Sequence, residues 1–101
     1  TTRAVAIGPL GGGVLRGNAL KFEIAGALSR PIGFRELFYL PAIPSESNMN
    51  RLKMNRVRYV IWDDGKAIPA LLATEYDSVC SRNGFLLLKR KFDLPDDARR
   101  G

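Results

Sequence analysis

The chain has 101 residues, with 16 Lys and Arg against 10 Asp and Glu for a formal charge of +6, and 46% of it is hydrophobic. This composition excludes a wholly disordered chain, and no apolar run is long enough to cross a bilayer as a helix. The length suits one domain and falls short of a multidomain enzyme.

The first carboxylate is Glu23, so residues 1–22, holding Arg3, Arg16 and Lys21, carry +3. Acid-poor, Arg-bearing N-termini occur in organelle transit peptides, but the stretch has five glycines and glycine breaks an amphipathic helix. Ala4-Val5-Ala6-Ile7 is strand-like, and too short for the apolar core of a secretory signal. Gly8-Pro9-Leu10-Gly11-Gly12-Gly13 then stops regular structure. Residues 1–18 are read as a flexible, basic, Gly-rich arm.

Asn18 is placed to cap a helix over Ala19–Ser29, whose Leu20, Ile24, Ala27 and Leu28 form one apolar stripe. A strand through Ala19–Ala25 is the rival. Pro31 closes the segment. In Ile32–Leu40, Phe34, Leu37, Phe38 and Leu40 sit at helical spacing, and Pro41 closes it. Residues 41–50, with prolines, serines and asparagines, read as an internal linker.

Val57–Trp62 is a strand rich in β-branched and aromatic residues, followed by the Asp63-Asp64-Gly65-Lys66 turn. Beyond it, Ala67–Thr74 is either the return strand of a hairpin or part of a helix opened by Pro69 and running to Arg82. The helix is favoured by length, with Leu72, Tyr76, Val79 and Cys80 as its stripe and Asn83-Gly84 as its stop. Phe85–Phe92 is a further strand, and residues 93–101 are a polar, frayed tail. The expected fold is therefore a small single α+β domain, 19–92, with two or three strands and one to three short helices.

Absences narrow the chemistry. The chain has no histidine, which removes Ser–His–Asp and Cys–His relays. Its one cysteine, Cys80, permits neither an internal disulfide nor a thiolate metal cluster. A lone thiol and the lack of an Asn-x-Ser/Thr sequon point to an intracellular, reducing compartment, cytoplasm or organelle matrix. No cofactor and no metal are expected, and no enzymatic activity.

Five features of the chain are candidate sites. Arg51, Lys53, Arg56 and Arg58 form one acid-free run, and Arg82, Lys89, Arg90 and Lys91 flank the last strand. If 57–62 and 85–92 are neighbouring strands, these cations gather at one sheet edge and can bind phosphates by counterion release, with Tyr59, Trp62 or Phe85 available for base stacking. The bland alternative is solubility and protection of strand edges. The glycine loop matches neither G-x-G-x-x-G before a helix nor G-x-x-x-x-G-K-[ST], and Pro9 deletes an amide donor. Asp63-Asp64 and Asp96-Asp97 have turn or tail contexts that need no metal. Cys80 lies on the expected apolar stripe, as a buried inert thiol, and Thr1 would act as an N-terminal nucleophile only after processing and beside a lysine. Finally, Phe34, Leu37, Phe38 and Tyr39 form a short apolar segment that is either core or a docking surface for a partner protein.

The expected function is a non-enzymatic accessory subunit of a larger assembly, touching RNA or DNA phosphates and neighbouring protein subunits. The alternatives are a freestanding homodimeric nucleic-acid-binding regulator and a small enzyme or ligand-binding domain. A helix-turn-helix from 19–29 and 32–40 is disfavoured by Pro31 and by the apolar second helix.

Overall fold

A computed structural model of the chain describes residues 5–13, 15–40 and 45–91. Its elements in chain order are β1 (Val5–Ile7), α1 (Gly17–Leu28), a 3₁₀ turn (Phe34–Glu36), β2 (Leu37–Tyr39), α2 (Glu46–Met54), β3 (Tyr59–Asp63), α3 (Ala70–Glu75), β4 (Tyr76–Arg82) and β5 (Phe85–Arg90). The α+β class is as expected, but the sheet has five strands, not two or three, in the order β2-β1-β3-β5-β4. β1 runs parallel to both β2 and β3, while β5 is antiparallel to β3 and β4.

The sheet is covered on both sides. Val5, Ile7, Leu37, Ile61, Phe85 and Leu87 face Leu20 and Ile24 of α1. Ala6, Val60, Trp62 and Leu88 face Leu52 of α2 and Leu72 of α3. A strand buried on both faces needs apolar side chains at successive positions. That is why Val5-Ala6-Ile7 and Val60-Ile61-Trp62 are unbroken apolar runs at the sheet centre. Val5–Ile7, placed in the expected N-terminal arm, are thus a central strand.

Several elements differ from the sequence expectation. The segment around Leu37 is a strand, not a helix. Its side chains split between the faces, Leu37 packing toward α1 and Phe38 toward α2, so the helical spacing was coincidental. Of the expected linker, 41–44 lie outside the described residues, and Glu46–Met54 is a helix. The Ser45 hydroxyl caps it by accepting from the Asn48 amide at 3.3 Å, with Glu46 in the first turn and Arg51 and Lys53 in the last.

The long helix to Arg82 stops at Glu75, and β4 takes the remainder. Asn83 (φ 46°) and Gly84 (φ 89°) form the two-residue loop between the paired Arg82 and Phe85. Two consecutive positive φ values suit a hairpin turn whose twist matches its strands, so Asn-Gly closes a hairpin here and does not end a helix. Cys80 is consequently exposed, not buried on a helical stripe. α1 begins at Gly17, and Asn18 is not its cap. Residues 1–4 and the tail 93–101 lie outside the described residues.

Candidate nucleic-acid interface

β3 and β5 are neighbours, as the cationic reading required. Their pairing brings the two basic stretches to one end of the sheet, where β3 starts and β5 finishes. Lys89 lies opposite Tyr59, and the Arg90 amide donates to the Arg58 carbonyl at 2.9 Å. α2 ends at the same place. The Arg56 amide donates to the Lys53 carbonyl at 3.1 Å and the Val57 amide to that of Leu52 at 2.9 Å, which turns the chain directly into β3. Arg56 makes this turn in the left-handed region, at φ 55°.

Lys53, Arg56, Arg58, Lys89 and Lys91 are exposed there and Arg90 is half-buried, against the carboxylates of Glu75 and Asp77. Among the described residues, six cations facing two acids leave a local excess of four positive charges. Lys91 Nζ lies 3.7 Å from Asp77 Oδ1. Arg90 is anchored inward, its guanidinium donating to the Val57 carbonyl, which also accepts from the Tyr76 hydroxyl at 2.6 Å. Burial pushes the Tyr76 phenol above its usual range, with the Arg90 charge opposing that shift. Tyr59 is half-buried against the α1 side of the core at this end, whereas Trp62 and Phe85, the other expected stacking residues, are buried in the core.

Arg30, at the end of α1, pairs with Glu36 at 2.7 Å. That hydrogen bond, then a second from the Gly33 amide, holds the Glu36 carboxyl below its usual range and raises the Arg30 guanidinium. This pair adds no net charge to the cluster.

Two predicted cations lie elsewhere. Arg82 is at the opposite end of the sheet, where its Nε donates to Glu23 Oε1 at 3.1 Å and ties β4 to α1. Arg51 stands along α2 with its guanidinium over the Phe38 ring, 4.9 Å from its centre. The basic surface is therefore a strand end ringed by cations, not a lateral sheet edge. Of the expected docking segment, Leu37 is core, Phe38 lies under Arg51 and Tyr39 is 62% exposed. The Phe34 side chain lies outside the described residues.

The opposite end holds the glycine loop. The Gly8 amide donates to the Ile61 carbonyl at 2.9 Å, and a Cβ at Gly8 would lie 2.6 Å from the Trp62 ring, so only glycine fits this approach. Asp63, 8% exposed at the end of β3, accepts from the Gly11 amide at 2.6 Å and from the Gly65 amide at 2.8 Å. The Arg16 guanidinium donates to the Leu10 and Gly11 carbonyls, each at 3.1 Å. A phosphate cradle needs free amides and a positive field. Here one loop amide is taken by a carboxylate. The Asp63–Gly11 link was not read from the sequence. The acid after an apolar strand was a signal for it, but its glycine partner is 52 residues away.

Among the described residues no three acidic or thiol side chains gather as a metal site, and no helix is long and apolar enough to cross a membrane. No known family, curated protein or solved structure matches this chain.

Proposed function

We propose that this protein is a non-enzymatic module that binds the phosphates of a nucleic acid, RNA being the natural setting, through the strand end formed by Lys53, Arg56, Arg58, Lys89 and Lys91. The observation that carries the reading is the convergence of two acid-free sequence stretches, 33 residues apart at Val57 and Arg90, on one end of one sheet. An excess of four charges within one surface concentrates the field far more than +6 spread evenly would. The half-buried Tyr59 adds a stacking partner. Such a module works as an accessory subunit of a larger assembly in a reducing compartment, where its exposed Cys80 stays a thiol. Labelled single-stranded RNA titrated at several salt concentrations tests it. The logarithm of the affinity should fall linearly with the logarithm of salt. Affinity that does not depend on salt refutes it.

A second reading is favoured by the strand order. β1 is followed by β2 on one side of it, and the chain then crosses back past β1 to place β3 on the other side, so the strand order reverses at β1. In parallel α/β sheets, ligands bind beyond the carboxyl ends of the strands at such a reversal. Exposed Gly12 and Gly13 follow β1 at this point, with open space where a Cβ would project from each. The ligand would be a small polar molecule. A rise in melting temperature with a mononucleotide or sugar, absent with an oligonucleotide, would favour this site over the cationic end.

A further inference from the structure

We propose that the outer side of β4 is a self-association edge, pairing antiparallel with β4 of a second copy of this chain about a two-fold axis between Val79 and Cys80. β4 ends the sheet, and among the described residues only β5 pairs with it. All its residues after Tyr76 are exposed, including Val79 at 55%. The other lateral strand, β2, has only three residues.

The sequence of β4 is self-complementary in this register. Asp77 would lie opposite Arg82 of the second copy, Ser78 opposite Ser81, and Val79 opposite Cys80. The symmetry generates each pair twice. Residues five apart on a regular strand point to opposite faces. The bulge between Ser78 and Cys80 changes this. Asp77 pairs with Lys89 and Arg82 with Phe85, four residues apart on β5, so both charges stand on the α1 side of the sheet. Ser78 and Ser81, paired with Leu88 and Leu86, share the other side. The bulge thus brings Asp77 and Arg82 to one face and Ser78 and Ser81 to the other, with Val79 as the unpaired bulge residue beside the axis. Asp77 and Arg82 already meet Lys91 and Glu23 within the chain, so pairing builds two four-charge networks. The centre, Ser78–Ser81, has no lysine or proline, and its bulge is the one edge-guarding device it carries. This inference is independent of the nucleic-acid reading, and its assay contains no nucleic acid.

Sedimentation equilibrium of the reduced chain should show a monomer–dimer equilibrium. Copper–phenanthroline should then lock the dimer through the two Cys80 thiols beside the axis. Val79→Lys, which sets two ammonium groups at the axis, should weaken association about tenfold or more, since like charges on facing strands repel. Asp77→Arg, facing Arg82, should weaken it as well. Circular dichroism melts confirm that each variant is folded, and either variant alone suffices for the test. A chain that stays monomeric up to about 1 mM, or a dimer indifferent to the folded variant, overturns the proposal.

Discussion

Replacing Asp63 with alanine should destabilise the protein more than any other change at its surface-facing loops. The carboxylate accepts from the Gly11 and Gly65 amides at 2.6 and 2.8 Å and is itself nearly buried. A hydrogen bond to a charged acceptor contributes about 1.5–3 kcal/mol. Both amides are only part-buried, so water recovers a share of each. The expected loss is about 2–4 kcal/mol, or roughly 10–20 °C in Tm for a domain of this size. Asp63→Asn keeps one acceptor oxygen and should lose about half as much. Urea denaturation gives the stability, and amide hydrogen exchange should accelerate at Gly11 and Gly65 specifically. A variant that unfolds at the wild-type urea concentration would refute this structural role. A more stable variant would mark Asp63 as a strained functional carboxylate and favour the ligand reading over the cationic one.

Two further outcomes follow from the strand end. The Tyr76 phenol titrates above its usual value in the folded state, so its contribution to stability is complete below about pH 10 and is lost as pH rises through the folded value. The stability difference between wild type and Tyr76→Phe, about 1 kcal/mol at neutral pH, should therefore shrink in urea titrations above pH 10; a constant difference contradicts the burial argument. Arg56 holds φ at 55°, a conformation that costs a side-chain-bearing residue about 1–2 kcal/mol. Arg56→Gly should thus keep or raise Tm in a thermal melt while weakening RNA binding, and a fall in Tm would show that the Arg56 side chain stabilises the turn.

Local chemistry was readable in some places and misleading in others. Strands buried on both faces announce themselves, which is why β1, β3 and β5 are visible in Val5-Ala6-Ile7, Val60-Ile61-Trp62 and Phe85–Leu88. β2 and β4 are not, for opposite reasons. Leu37-Phe38-Tyr39 is too short for its period to be defined, and proline boundaries suit a helix as well as a strand. β4 has an exposed, polar edge sequence whose only clear sign is the Asn-Gly turn after it, and that dipeptide also ends helices. Ser45 and Glu46 are a cap and a first-turn acid for α2, a signal that the linker reading of the surrounding prolines and asparagines missed. The cationic cluster was legible only as far as strand adjacency. That β3 and β5 pair, with Lys89 opposite Tyr59, follows from the hairpin and crossover topology. Arg82 was grouped with Lys89 by sequence proximity, yet the length of β5 carries the two to opposite ends of the sheet.

The central claim is that a local cluster, not total charge, binds phosphate. Its most direct test compares two double variants of equal net charge, each lowered from +6 to +4 by two neutralised cations. Arg58→Gln with Lys89→Gln alters the strand end, whereas Lys21→Gln with Lys66→Gln alters α1 and the loop after β3. The measurement is the slope of the logarithm of RNA affinity against the logarithm of salt. The cluster variant should lose about 1.4 from that slope, two contacts at about 0.7 each on a single strand, and the remote variant should keep the wild-type slope. Equal losses in both would mean that binding senses only the overall charge, and the strand end would not be the site.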